Sequence, residues 1–123
     1  MLRKPENVIV KKTEDFSDRI IKMYKYLQLK QEGNRDILKQ VLRSGTSIGA
    51  NTAESQFAQS DADFLTKLTI ALKEANETKF WLKRLYAGDY LTEKEYKSII
   101  NDNEEIISIL VKITGTLKQR TQK

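Results

Sequence analysis

Two long stretches of this chain place a mostly apolar residue at every third or fourth position without a break, and this spacing restricts the fold more than any other feature. The intervals alternate between three and four, which is the period of an α-helix that buries one face. The positions are Phe64, Leu68, Ala71, Ala75, Thr78, Leu82 and Leu85 in one stretch, and Tyr96, Ile99, Asn103, Ile106, Leu110, Ile113 and Leu117 in the other. The alternation typical of β-strands is absent throughout, so we predict an all-α protein.

Two further amphipathic helices are predicted before these. The first runs from about residue 14 to 32, with a stripe from Phe16 to Leu27, and Gly33 ends it. Asn34 is the predicted N-cap of the second helix, which continues to about residue 58.

Capping boxes mark the starts of the third and fourth helices. The sequences are SDAD at 60–63 and TEKE at 92–95, and the helices that follow end near residues 87 and 118. Because all connections are short, we expect an antiparallel up-down-up-down four-helix bundle. Residues 1–123 form one domain, with short basic termini at about 1–12 and 119–123. Asn103 either fixes the register of the seam or turns toward the bundle edge.

The net charge of +5 is concentrated at the two ends of the chain. Residues 1–12 hold four basic residues and one acidic residue, and residues 112–123 hold four basic residues and no acidic one. Both ends fall at the same pole of such a bundle, where they are either a phosphate-binding surface or simple solubilising ends. No interleaving of aromatic and basic residues for base stacking is evident. The candidate nucleic-acid contacts are Arg3, Lys4, Lys11, Lys12, Lys112, Lys118, Arg120 and Lys123.

Composition argues against catalysis. The chain has no histidine and no cysteine, which removes the commonest acid–base group, nucleophile and metal ligands. We expect no cofactor, no metal and no enzymatic activity. The absence of cysteine fits a cytoplasmic protein. No run of 18 apolar residues exists, so no membrane partner is expected.

Residues 43–55, RSGTSIGANTAES, lie within the second predicted helix although their composition disfavours helices. Two glycines cost about 2 kcal/mol relative to alanine, and six Ser, Thr or Asn residues cost roughly 3 kcal/mol more. Gly45, Gly49 and Ala53 recur at every fourth position, where small residues allow close approach of another helix. Close packing together with local hydroxyl-to-carbonyl bonds can offset the deficit. Contact with a partner is a second explanation, compatible with the first.

A polar stripe on the other flank of this helix faces a mixed stripe on the third helix. We expect Arg43 and Lys67 to pair with Glu54, Glu74 or Glu77; a hard-cation site formed by these carboxylates is the alternative. Trp81 is either a core residue or an interface anchor. The predicted interface or polar network comprises Arg43, Ser47, Asn51, Glu54, Lys67, Glu74, Glu77 and Trp81.

The same two helices resemble a known family of four-helix bundles, which includes proteins encoded in intervening sequences of bacterial large-subunit ribosomal RNA genes. The resemblance spans about residues 15–118, and Ser55, where relatives have Ala or Gly, is a mild departure. The residues that carry it are Arg43, Ser44, Ser47, Ile48, Ala50, Asn51, Glu54, Asp63, Phe64, Ile70, Ala71, Leu72, Lys73, Glu74, Ala75, Glu77, Thr78, Trp81 and Leu82.

The resemblance implies a homopentamer. A more distant relative, the accessory variability determinant of diversity-generating retroelements, binds nucleic acid and a reverse transcriptase. We therefore expect a homo-oligomeric, nucleic-acid-associated adaptor, with RNA or DNA as the partner. A protein-interaction scaffold that binds another protein without nucleic acid is the alternative.

Overall fold

The computed structural model describes residues 4–30 and 35–121, and this part of the chain is a four-helix bundle. The helices are α1 (Lys4–Leu29), α2 (Arg35–Ser55), α3 (Asp61–Ala87) and α4 (Glu93–Thr121), and no strand occurs among these residues. Each helix packs against its two neighbours, and α4 returns to α1. Late residues of α2 meet early residues of α1, as where Gly49 approaches Thr13, so successive helices are antiparallel. The all-α bundle predicted from the sequence is confirmed.

The predicted seams form the core. All seven α3 positions are buried, and so are five of the seven on α4; Tyr96 and Ile113 are half-buried and pack against the same core. Asn103 is fully buried, and its side-chain amide donates to the Ala75 carbonyl oxygen on α3 at 3.2 Å. Asn103 therefore lies within the seam between α3 and α4 rather than at the bundle edge.

Both predicted capping boxes are present. Ser60 caps α3 by accepting a hydrogen bond from the Asp63 amide at 3.0 Å, and the Asp63 carboxylate accepts from the Gln59 amide at 3.1 Å. Thr92 and Glu95 bond reciprocally at the start of α4, at 2.9 and 3.1 Å. These bonds satisfy amides that the first helical turn leaves without partners. Gly33 and Asn34 lie outside the described residues.

The predicted start of α1 is wrong by about ten residues. Ile9 and Thr13 extend the stripe of Phe16 and Ile20 at intervals of four and three, and all four are buried. Residues 4–12 are therefore helix, because these additional turns, about two and a half, extend the buried face against the bundle. Pro5 is compatible with the first turn, where a backbone donor has no helical partner.

The predicted end of α2 is three residues too late. The amides of residues 56, 57 and 58 bond to carbonyl oxygens three positions earlier, so the chain tightens into a turn after Ser55. α4 continues to Thr121, three residues beyond its predicted end. Within the described ranges, no helix is long and apolar enough to cross a membrane.

Candidate interaction surface on the second and third helices

The segment 43–55 is helical, and its polar side chains bond back to the helix itself. The hydroxyls of Thr46, Ser47 and Thr52 donate to carbonyl oxygens four residues earlier, at 2.8, 2.6 and 2.8 Å. The Asn51 amide donates to the Ser47 carbonyl oxygen at 2.9 Å. Such bonds keep buried or half-buried polar groups satisfied without a partner molecule.

Gly45 and Gly49 form the close contact between α2 and α1. A Cβ atom at Gly45 would lie 2.9 Å from Ile20 Cγ1, and one at Gly49 would lie 2.7 Å from Ser17 Oγ and 3.0 Å from the Thr13 carbonyl oxygen. The two glycines therefore let two helices of one chain approach each other, and this contact needs no second subunit.

Ala53 does not continue this contact, contrary to the predicted ladder, because it is exposed. Successive steps of four residues rotate around a helix, so Ala53 lies about 80° from Gly45. Thr52 occupies the buried side at this level instead. The contact that α2 makes through small residues therefore ends at Gly49, although the helix stays packed at Thr52 and Ser55.

Ser44 on α2 and Thr78 on α3 contact each other inside the bundle. Their hydroxyl oxygens lie 2.9 Å apart and both residues are fully buried. Thr78 also lies 2.8 Å from the Glu74 carbonyl oxygen. This buried pair fixes how α2 and α3 align along their length.

Arg43 is the centre of the polar network above that pair. Its guanidinium donates to Glu74 at 3.2 Å and to Glu77, and the Trp81 indole donates to the same Glu77 oxygen at 3.0 Å. The hydrogen bond from Arg43, followed by the one from Trp81, lowers the pKa of Glu77, and the bond to Glu77 raises the pKa of Arg43. Glu77 is therefore held as a carboxylate that aligns two long side chains.

The second predicted pair lies further along the same surface. Lys67 Nζ is 3.5 Å from Glu54 Oε1. Both predicted cations therefore pair with predicted carboxylates. The described residues include no cluster of three or more His, Cys, Asp or Glu side chains placed to hold a metal ion. We call this whole set the α2–α3 surface: Arg43, Ser47, Asn51, Glu54, Lys67, Glu74, Glu77 and Trp81.

Trp81 is half-buried and packs against the core cluster, so its core role is present in the single chain. Its edge meets the ring of Phe80, with centroids 4.9 Å apart and planes at 77°. A role as an interface anchor stays a prediction.

The residues predicted to contact nucleic acid are only partly available. Lys11 binds Asp15 at 2.8 Å, and Lys12 binds Glu105 across to α4. Lys112 and Lys118 are exposed, whereas Arg120 is half-buried. Lys4 is the first residue of α1, and Arg3 and Lys123 lie outside the described residues. The described part of the N-terminal basic segment is thus helix that carries ion pairs, and not a free tail.

A groove between α1 and α4 was not predicted. One pocket along it has a volume of about 340 Å³, and its lining includes Met23, Leu91 and Ile99. Arg19 bridges the two helices beside it, donating to Asp102 at 2.6 Å and to the Ser98 hydroxyl at 2.6 Å. No sequence pattern marks this groove, since it depends on the separation of two helices at opposite ends of the chain.

Comparisons with known proteins place this geometry in a family. The model of the 23S rRNA-intervening sequence protein family matches residues 5–112. A crystal structure of a protein with unknown function from the S23 ribosomal protein family of Bacteroides thetaiotaomicron VPI-5482 superposes with a TM-score of 0.86. It is 49% identical, over 90% of this chain and 98% of that one. No curated protein sequence matches. The chain belongs to the 23S rRNA-intervening sequence protein family.

Proposed function

We propose that the protein is a non-enzymatic scaffold that acts as a homo-oligomer, with the α2–α3 surface in the contact between subunits. The observation that carries this proposal is the fixed array of Arg43, Glu77 and Trp81 on the outside of the bundle. Arginine and tryptophan are enriched among the residues that dominate binding energy at protein interfaces.

The array does little for the stability of a single chain. The Arg43 side chain is 48% exposed, and exposed ion pairs contribute about 0–1 kcal/mol. Ile70, on the same side of α3, leaves 37% of its surface exposed. An ordered polar array beside a partly exposed apolar side chain is typical of a surface that another molecule covers.

A ring of five subunits is the assembly that we propose, in line with the family resemblance. A cyclic ring uses two different patches on each subunit, so the α2–α3 surface would meet a different face of the neighbouring copy. Because each chain has a mass of 14.3 kDa, five copies amount to about 72 kDa.

Light scattering coupled to size-exclusion chromatography tests this proposal. The double variant Arg43→Ala with Glu77→Ala should shift the mass from about 72 kDa toward the monomer. The matched control is Lys97→Ala with Glu93→Ala, which removes a 3.6 Å ion pair from α4 and should leave the mass unchanged. A monomeric wild type, or equal masses for wild type and the Arg43/Glu77 variant, would contradict the proposal.

Association with nucleic acid through the basic pole is the second candidate function, and it would make the oligomer an adaptor. It is favoured by the charge of α4, which has no acidic residue after Glu105 and runs antiparallel to α1, as the Lys12–Glu105 and Arg19–Asp102 ion pairs show. Deleting the termini is a poor test, because Ile9 and Leu117 belong to the core. Replacing Lys112 and Lys118 by Gln and titrating an RNA oligonucleotide in a filter-binding assay is the better one, and unchanged affinity would remove this candidate.

A further inference from the structure

The outward face of α3 carries a basic and aromatic strip that the sequence pattern did not predict. Phe80 points away from the bundle, with 52% of its surface exposed, although Trp81 beside it and Leu82 after it turn inward. The strip runs over about three turns of helix. We define this α3 strip as Lys73, Asn76, Lys79, Phe80, Lys83 and Arg84, of which all but the half-buried Lys79 are exposed.

The α3 strip carries four cations, of which Lys73 acts electrostatically on Glu77 and helps to lower its pKa. Among the described residues, no ion pair includes Lys73, Lys79, Lys83 or Arg84. The two carboxylates in this half of α3, Glu74 and Glu77, turn toward α2 and bind Arg43. Arg43 therefore offsets one of these two negative charges, and the four cations of the α3 strip exceed the single negative charge that remains.

The aromatic ring lies among these cations rather than apart from them. The Arg84 guanidinium lies over the Phe80 ring, 5.4 Å from its centroid, and the Trp81 ring packs nearly perpendicular to the Phe80 ring. Planar rings and guanidinium groups are the side chains on which unpaired bases stack. From Lys73 to Arg84 the helix rises about 16 Å, which leaves room for several consecutive phosphates.

We propose that the α3 strip binds single-stranded nucleic acid, with its lysines on the phosphates and with Phe80 and Arg84 stacking against an unpaired base. The positive charge of the α3 strip favours a polyanion as the ligand. The exposed Phe80 ring favours a polyanion whose planar bases are accessible for stacking. The inference is an alternative to binding at the basic pole, because it places the nucleic-acid contact on α3, and it does not depend on the subunit number.

Fluorescence anisotropy with a labelled 20-nucleotide uridine oligonucleotide tests the aromatic part. Stacking of one base corresponds to roughly a five- to hundredfold difference in affinity, so Phe80→Ala should weaken binding at least fivefold. Phe80→Trp should restore it. Phe57→Ala is the matched control, because Phe57 is 85% exposed in the α2–α3 connection and away from the strip.

Salt dependence tests the electrostatic part. Lys79→Gln with Lys83→Gln should lower the slope of log affinity against log salt by about 1.4, the value for two phosphate contacts on a single strand. Lys22→Gln with Lys25→Gln removes the same charge from exposed positions on α1 and should leave the slope nearly unchanged. Lys112→Gln with Lys118→Gln should also leave it nearly unchanged, which separates this inference from the basic pole.

Several results would overturn the inference. The first is a binding affinity that Phe80→Ala leaves unchanged, and the second is an equal salt slope for the α3 and α1 double variants. The third is that polyglutamate competes for binding as effectively as the unlabelled oligonucleotide does. A duplex that binds as tightly as the single strand would also exclude base stacking. Light scattering on the same samples reports the subunit number, so a monomer that binds through the strip would refute the proposed assembly and leave the inference standing.

Discussion

Replacing Gly49 by alanine is the sharpest test of the contact between α1 and α2. The new Cβ atom would lie 2.7 Å from Ser17 Oγ and 3.0 Å from the Thr13 carbonyl oxygen, which is backbone and cannot rotate away. Gly115 on α4 is the matched control, because a Cβ atom there would meet nothing within 4 Å. Both positions are helical, so intrinsic helix propensity changes equally in the two variants.

The opposing contributions give the expected magnitudes. Alanine is favoured over glycine in a helix by about 1 kcal/mol, so Gly115→Ala should stabilise the protein by about that amount. At Gly49 the same gain is offset by loss of the 2.8 Å bond from Ser17 to Thr13, worth about 1 kcal/mol. Overpacking against α1 adds a cost of about 1–3 kcal/mol. We therefore expect Gly49→Ala to destabilise the protein by about 1–3 kcal/mol.

Urea unfolding followed by circular dichroism at one fixed protein concentration measures both free energies of unfolding. The concentration is held constant because an oligomer gains stability by mass action. If Gly49→Ala raises the free energy of unfolding as much as Gly115→Ala does, the two helices do not approach closely at this point. Close packing against α1 would then no longer explain why α2 contains two glycines.

Three further predictions concern single polar groups. Because the folded state lowers the pKa of Glu77, its contribution to stability is present above the ordinary glutamate pKa and is lost as pH falls through the folded value. The difference in free energy of unfolding between wild type and Glu77→Gln should therefore shrink as the pH is lowered. The fluorescence of Trp81, the single tryptophan, should change over the same pH range. A difference that stays constant with pH would contradict this prediction. Asn103→Leu should stabilise the protein by about 1 kcal/mol in urea unfolding, because the buried side-chain oxygen of Asn103 has no hydrogen-bond partner among the described residues. A loss of stability would show that the hydrogen bond from the Asn103 side-chain amide to α3 contributes more than the unpaired oxygen costs. Thr92→Ala should cost about 1 kcal/mol by removing the cap of α4, whereas Thr116→Ala, on the exposed surface of the same helix, should cost much less.

Much of the bundle could be predicted from local spacing. The seam positions of α3 and α4 are buried or half-buried as predicted, since the helical period decides which side chains share a face. The capping residues Ser60 and Thr92 also act as predicted, because a cap bonds to an amide only three residues away. The same helical spacing at Ile9 and Thr13 indicates that α1 begins before these residues. The charged residues around them are typical of a basic terminus, so the start of α1 was predicted too late.

The pairings of the α2–α3 surface could be predicted as a set of alternatives. The polar stripe on α2 and the mixed stripe on α3 indicated that Arg43 would pair with one of three glutamates, Glu54, Glu74 or Glu77. Which one it meets depends on the alignment of α2 and α3, which the buried Ser44–Thr78 contact fixes. Only the structure assigns Arg43 to Glu74 and Glu77.

The sequence by itself determined the four helices, most of the residues that they bury and the caps of α3 and α4, because these follow from interactions within one or two turns. Tertiary structure decided which helix Gly45 and Gly49 contact, that Ala53 stays exposed, and which α3 lysines have no acidic partner among the described residues. These outcomes depend on groups far apart in the chain, such as Lys12 with Glu105 or Arg43 with Glu77. Because Glu74 and Glu77 bind Arg43 on another helix, no ion pair among the described residues includes Lys79, Lys83 or Arg84 on α3.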